Sequence, residues 1–108
     1  MRRILTYAAV PVLLVTSGLI FAQKKGDPAK GKDVFEQCAV CHSPDTDQKK
    51  MGPGLKGLFK KEKMSNGQKP TDQSVLAMIN KGKGTMPAFG EVLSADEKHD
   101  VLAFLKTL

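Results

Sequence analysis

Cys38-Ala39-Val40-Cys41-His42 is the part of the chain best suited to chemistry. Two thiols three positions apart, on one helical turn, can each bond one vinyl group of a porphyrin. The next residue then places an imidazole beneath the iron. This C-x-x-C-H spacing is that of covalent c-type haem attachment. Three other uses of the cysteines compete with it. A redox-active dithiol belongs beside a βαβ pattern, which the sequence lacks. A structural cystine is permitted if the chain is exported. Half a zinc site needs further ligands, but His42 and His99 are the only histidines and their spacing fits no usual zinc array. In the first two uses the adjacent histidine has no purpose.

A haem iron held by one imidazole has a second axial position. The candidates are Met51, Met64, Met78, Met86 and His99. Met78 falls in an apolar helical pattern and reads as packing. Met51 and Met64 sit among lysines and turn residues. His99 lies between Lys98 and Asp100 and reads as solvent-facing. Met86 stands apart, because Pro87 biases it toward extended backbone. Gly82 and Gly84 let the chain bend closely around a bulky ring. The alternative for Met86 is gap-filling packing, a common use of methionine.

Helices must position these residues. Asp27-Pro28 is a helix start, with a capping side chain followed by proline at the first helical position. Val34, Phe35 and Cys38 carry that helix to about Cys38. Residues 43–70 show no sustained period and hold seven lysines, so they read as loop with a short turn near Leu55 to Lys60. Thr71 caps a second helix with Val75, Leu76 and Ile79 on one face, ended by Gly82. Ser94-Ala95-Asp96-Glu97 is a capping box. The helix after it presents Val101, Leu102, Phe104, Leu105 and Leu108. No stretch alternates with period 2. The expected fold is all-α.

The first 22 residues differ from the rest. Met1-Arg2-Arg3 is basic, Ile4 to Ala22 carries no charge, and polar residues follow. This is the make-up of a secretory signal cut after Ala22. A 19-residue apolar run is also long enough for an uncleaved membrane anchor, although Pro11, Thr16, Ser17 and Gly18 weaken it as a permanent helix. Either way, residues 23–108 are expected outside the cytoplasm, as one domain. The whole chain has 108 residues and a net charge of +6; removing residues 1–22 takes away two Arg and no acid, leaving 86 residues at +4. That length excludes a two-domain enzyme with a cleft between lobes. It is also short enough that a large apolar cofactor in the core would add considerably to its stability.

The exported part resembles a class I cytochrome c, the small, soluble, monohaem type of bacteria. The matching pieces are Gly31-Lys32-Asp33-Val34-Phe35 before the C-x-x-C-H motif, then Gly52-Pro53-Gly54-Leu55 and Gly84-Thr85-Met86-Pro87-Ala88-Phe89. Leu93-Ser94-Ala95-Asp96-Glu97 and Val101-Leu102-Ala103-Phe104-Leu105 complete the set. They follow the family's order over nearly all of residues 27–108. The resemblance implies three to five short helices and long loops wrapped around one covalent haem c. It implies thioether bonds to Cys38 and Cys41 and axial ligation by His42 and Met86. Pro53 is implied as the residue whose carbonyl accepts the His42 N–H, and Phe35 as packing against the last helix near Val101 and Phe104. The chain departs from mitochondrial-type members in having no Trp, and its single Tyr is Tyr7, in the leading segment. The groups that meet the haem propionates are therefore left open.

With ligands on both faces, iron has no open position, which favours one-electron transfer over oxygen or peroxide chemistry. The expected function is an electron carrier of the bacterial cell envelope, not an enzyme. It is periplasmic or otherwise exported, or tethered to the membrane through residues 4–22. Two alternatives stand beside it: a fixed haem subunit of a larger oxidoreductase complex, and a haem sensor or peroxidase-like protein if Met86 does not bind iron. Phe35, Leu55, Phe59, Ile79, Phe89 and Leu102 are expected to wall the haem. Lys49, Lys50, Lys56, Lys60, Lys61, Lys63, Lys69, Lys81 and Lys83 form either an ordinary solvated surface or a positive rim that steers an acidic redox partner. The lysines are not interleaved with aromatics, so no nucleic-acid partner is expected. The protein is expected to act as a monomer.

Overall fold

The architecture follows from three capped helices. Asp27 accepts a hydrogen bond from Ala29 N at 2.9 Å and opens α1, Pro28–Phe35. Thr71 and Ser74 cap each other's backbone N–H groups at the start of α2, Asp72–Lys81. Ser94 and Glu97 do the same for α3, Ala95–Leu105. A 3₁₀ turn, Leu58–Lys60, falls in the lysine-rich loop where a short turn is expected. This computed structural model describes residues 26–108, so the expected leader at residues 1–22 and its cleavage point lie outside the described residues. Among the described residues there is no strand, only an isolated antiparallel bridge between Lys83 and Met86. No described helix is long and apolar enough to cross a membrane.

The first helix ends three residues before its expected limit. From Glu36 the hydrogen bonds tighten to i−3 partners, with Cys38 N on Phe35 O at 2.7 Å. Apolar residues at i, i+1 and i+4 suit an α-helix and the tighter turns that often end one, so periodicity cannot fix the boundary. The C-x-x-C-H motif therefore rides on turns beyond α1.

α1 packs chiefly on α3. A side chain at Gly31 would collide with the Asp100 carbonyl oxygen and the Phe104 side chain, so the two helices cross almost backbone to backbone. The Phe35 and Phe104 rings lie 5.2 Å apart and tilted by 48°, a geometry worth about 0.5–1.5 kcal/mol beyond area burial. Asp27 N donates to Asp100 Oδ1 at 2.8 Å and ties the entry of α1 to α3. The buried core consists of Phe35, Leu58, Val75, Ile79, Leu93, Val101, Leu102 and Leu105, drawn from all three helices and the intervening loops.

Candidate haem site

Two turns after α1 shape the motif. Cys41 N donates to Cys38 O at 3.1 Å and His42 N to the same oxygen at 2.9 Å. This helical turn carries Cys38, Cys41 and His42 into the lining of one cavity. Both cysteines are free thiols, half-buried. Burial, with Cys41 beside it, pushes the Cys38 thiol up from its ordinary value. Redox-active dithiols have the opposite perturbation, a lowered pKa. Among the described residues no three His, Cys, Asp or Glu side chains gather as a metal site, which leaves the zinc alternative without ligands.

The loop after the motif fixes the imidazole. Gly52 N donates to Cys41 O and Leu55 N to Ser43 O, each at 2.8 Å. These bonds fold Gly52-Pro53-Gly54 back over His42. The His42 Nδ1 lies 2.7 Å from the Pro53 carbonyl oxygen. A carbonyl only accepts, so Nδ1 holds a proton, and in the neutral ring Nε2 is the nitrogen that carries the lone pair. A metal-bound histidine has this arrangement, with the second nitrogen anchored to a carbonyl and the ring made more basic. Gly52 leaves no spare space beside the ring: a Cβ there would stand 2.5 Å from His42 Cε1.

Met86 reaches the same cavity from a different direction. Gly82 ends α2 at φ +67°, and a Cβ there would strike the Met86 carbonyl. Lys83 and Met86 then pair in both directions, Lys83 N on Met86 O at 3.2 Å and Met86 N on Lys83 O at 3.0 Å. Phe89 N returns to Ile79 O at 2.9 Å and Gly90 N to Asn80 O at 3.2 Å. The Met86 segment is thus a loop whose two ends rest on the last turn of α2.

The cavity measures about 460 Å³, and its walls are mainly apolar. Phe35, Leu55, Ile79 and Phe89 line it as expected, but Phe59 and Leu102 do not. Phe59 packs at the edge of the core, with the Lys106 ammonium 5.8 Å from its ring centre. On α3 the lining positions are Val101 and Leu105, one helical turn apart, and Leu102 points off that line. Leu58, Val75 and Leu93, all buried, add to the wall; of these the sequence pattern placed only Val75 on an apolar face. Met51, Met64 and Met78 also line it. His99 is exposed and outside the cavity.

The lysines divide. Lys63 and Lys83 line the cavity, Lys56 and Lys60 line a separate shallow groove with Asp45 and Asp47, and Lys61 borders both. No Asp or Glu lines the main cavity. Two thiols, an imidazole with a free Nε2, a thioether and a cationic margin are a donor set that fits a haem with its two carboxylates. Haem supplies a one-electron iron couple when bound. For such a group the chain would offer Cys38 and Cys41 for attachment, His42 oriented by Pro53 and Gly52, and an apolar wall against water.

Comparison with known proteins bears on the family and the fold. Residues 26–105 match the family model described as cytochrome C oxidase, cbb3-type, subunit III. Cytochrome c6 of Rippkaea orientalis is 35% identical over 81 residues, 74% of this chain and 69% of that protein. Cytochrome c6 of Leptolyngbya boryana is 38% identical over 80 residues, 73% of this chain and 89% of that one. The solved structure of cytochrome c6 from the diatom Phaeodactylum tricornutum superposes with a TM-score of 0.59 at 30% identity, covering 76% of this chain and 93% of that one. Motif, fold and relatives agree: the chain belongs to the small class I c-type cytochromes, monohaem electron carriers with one covalent haem c, and is not an enzyme.

Proposed function

We propose that this cytochrome is an exported carrier whose single haem is bonded to Cys38 and Cys41 and whose iron is bound by His42 Nε2 and Met86 Sδ. The observation that carries the reading is the 2.7 Å contact of His42 Nδ1 with Pro53 O, which frees Nε2, in a cavity that Met86 also lines. A haem held by both side chains would supply a one-electron Fe(II)/Fe(III) couple and leave no place at the metal for a substrate. A neutral thioether favours the reduced ion, and the apolar wall adds to that preference. Carbon monoxide added to the reduced protein is the test. The wild type should react slowly and Met86→Ala readily; equal rates contradict the Met86 assignment.

Residues 1–22 direct export to the bacterial envelope by cleavage after Ala22, or hold the chain at the membrane through residues 4–22. The partners are redox proteins with acidic docking surfaces, met by a monomer. Lys61, Lys63 and Lys83 at the cavity support this, and such a positive margin can raise association rates by about 10–10³-fold at low salt. A second reading, a fixed haem subunit of an oxidase, is favoured by the description of the matching family model. Purification from mild detergent separates the two, because a fixed subunit stays with its complex and a carrier elutes alone.

A further inference from the structure

The Met86 segment is held by α2 at both its ends, but α2 packs only lightly on α3. Two lysines of α3 bridge that gap. Lys106 Nζ, at the C-terminal end of α3, meets Asp72 at the start of α2, 2.8 Å from Oδ1 and 2.9 Å from Oδ2. Lys98 Nζ, in the first turn of α3, donates to Gly90 O at 2.7 Å in a half-buried setting. Lys106 thus ties the end of α3 to the start of α2, and Lys98 ties the start of α3 to Gly90, which is itself bonded to Asn80 at the end of α2.

The ties are not equivalent. The Lys106–Asp72 pair is exposed, and such pairs are worth about 0–1 kcal/mol. The Lys98 bond joins an ammonium to a carbonyl, out of full contact with water, at the point where the Met86 segment leaves α2. Gly90 is gripped from both sides there: its N–H by Asn80 O and its carbonyl by Lys98. Asn80 packs against the same glycine, and its buried Oδ1 has no hydrogen-bond partner. The junction is short of donors, and Lys98 supplies one.

We propose that Lys98 is a positioning residue for Met86, which clamps the Met86 segment onto α3 through Gly90 O and so holds the thioether in the cavity. The proposal rests on Met86 being the axial ligand. Lys98 does not line the cavity; it acts by restricting how far Gly82–Gly90 can lift from α2 and α3. Loss of the ammonium at constant side-chain length would free that end of the segment, and loss of Lys106 would not.

Four full-length holoproteins test this: wild type, Lys98→Met, Lys98→Arg and Lys106→Met. The readouts are the rate of carbon monoxide binding to the reduced form and the near-infrared sulfur-to-iron band of the oxidised form. Lys98→Met should bind carbon monoxide about tenfold faster than wild type, the low end of what a hydrogen bond to a charged group is worth. Its sulfur-to-iron band should fade at a lower temperature than that of wild type. Lys98→Arg should restore both properties, and Lys106→Met should match wild type. Equal rates and bands in Lys98→Met and wild type overturn the proposal and leave Met86 ligation intact. A wild type without the band, reacting rapidly with carbon monoxide, overturns both. A Lys106→Met protein as loose as Lys98→Met also contradicts the proposal, because it would make the effect one of general helix packing.

Discussion

The two sides of the haem cavity are built by different means. On the histidine side, both thiols and the imidazole come from five consecutive residues, and the clamp on the ring comes from Gly52 and Pro53, about ten residues on. Four short backbone and ring contacts, each between 2.7 and 2.9 Å, hold that side. On the methionine side one thioether sits in a segment closed by backbone bonds to α2 and by Lys98 from α3. The first side is local in sequence and over-determined. The second is equally local, its bonds spanning ten residues or fewer, but they hold the backbone around the thioether rather than the thioether itself. Damage to the histidine side should therefore prevent assembly, whereas damage to the methionine side should leave an assembled protein with altered reactivity.

The largest effect should come from the thiols. Replacing both Cys38 and Cys41 with Ala removes every covalent bond to the cofactor, so acid–organic extraction should strip all haem from the variant and none from wild type. Haem retained by the chain would break the contrast at its strongest point. Next is Met86→Ala, which should keep its covalent haem and lower the reduction potential by on the order of 0.1 V or more, within the roughly 0.8 V that axial ligands span. Protein-film voltammetry measures it, and an unchanged potential would show that this side contributes no ligand.

Gly52→Ala should act between these extremes. Its Cβ would press on the imidazole, and overpacking of this kind costs about 1–3 kcal/mol. Thermal unfolding should register that loss together with a shifted haem spectrum. A Gly31→Ala change should cost a similar amount by forcing α1 off α3, but with an unshifted spectrum. The smallest effect is expected of Ser94→Ala, which removes one helix cap and about 1 kcal/mol without touching either side of the cavity.

The same contrast explains what the sequence could reveal. C-x-x-C-H is contiguous, so its chemistry and the helix caps at Asp27, Thr71 and Ser94 were legible from spacing alone. The end of α1 was not, because a loosening helix and a 3₁₀ turn repeat apolar residues alike. The wall of the cavity was only half legible. Phe59 and Leu102 are apolar and near the right elements, yet which side of a helix or turn faces the haem depends on how α3 is rotated against α1. That rotation is set by the close approach at Gly31, a contact between residues some seventy positions apart. The division of the lysines into Lys63 and Lys83 at the cavity, Lys56 and Lys60 beside two aspartates, and Lys61 between the two depends in the same way on loop path. Nothing in the sequence singles out Lys98, and only the fold brings it to Gly90.

Met51, Met64 and Met78 line the cavity beside Met86, so sulfur at the iron must be traced to its residue. X-ray absorption at the iron edge, on wild type and Met86→Ala side by side, does this. One sulfur and five nitrogen neighbours in wild type, with the sulfur gone in Met86→Ala, is the predicted result. A wild type without sulfur at iron, or a sulfur that survives the substitution, contradicts it.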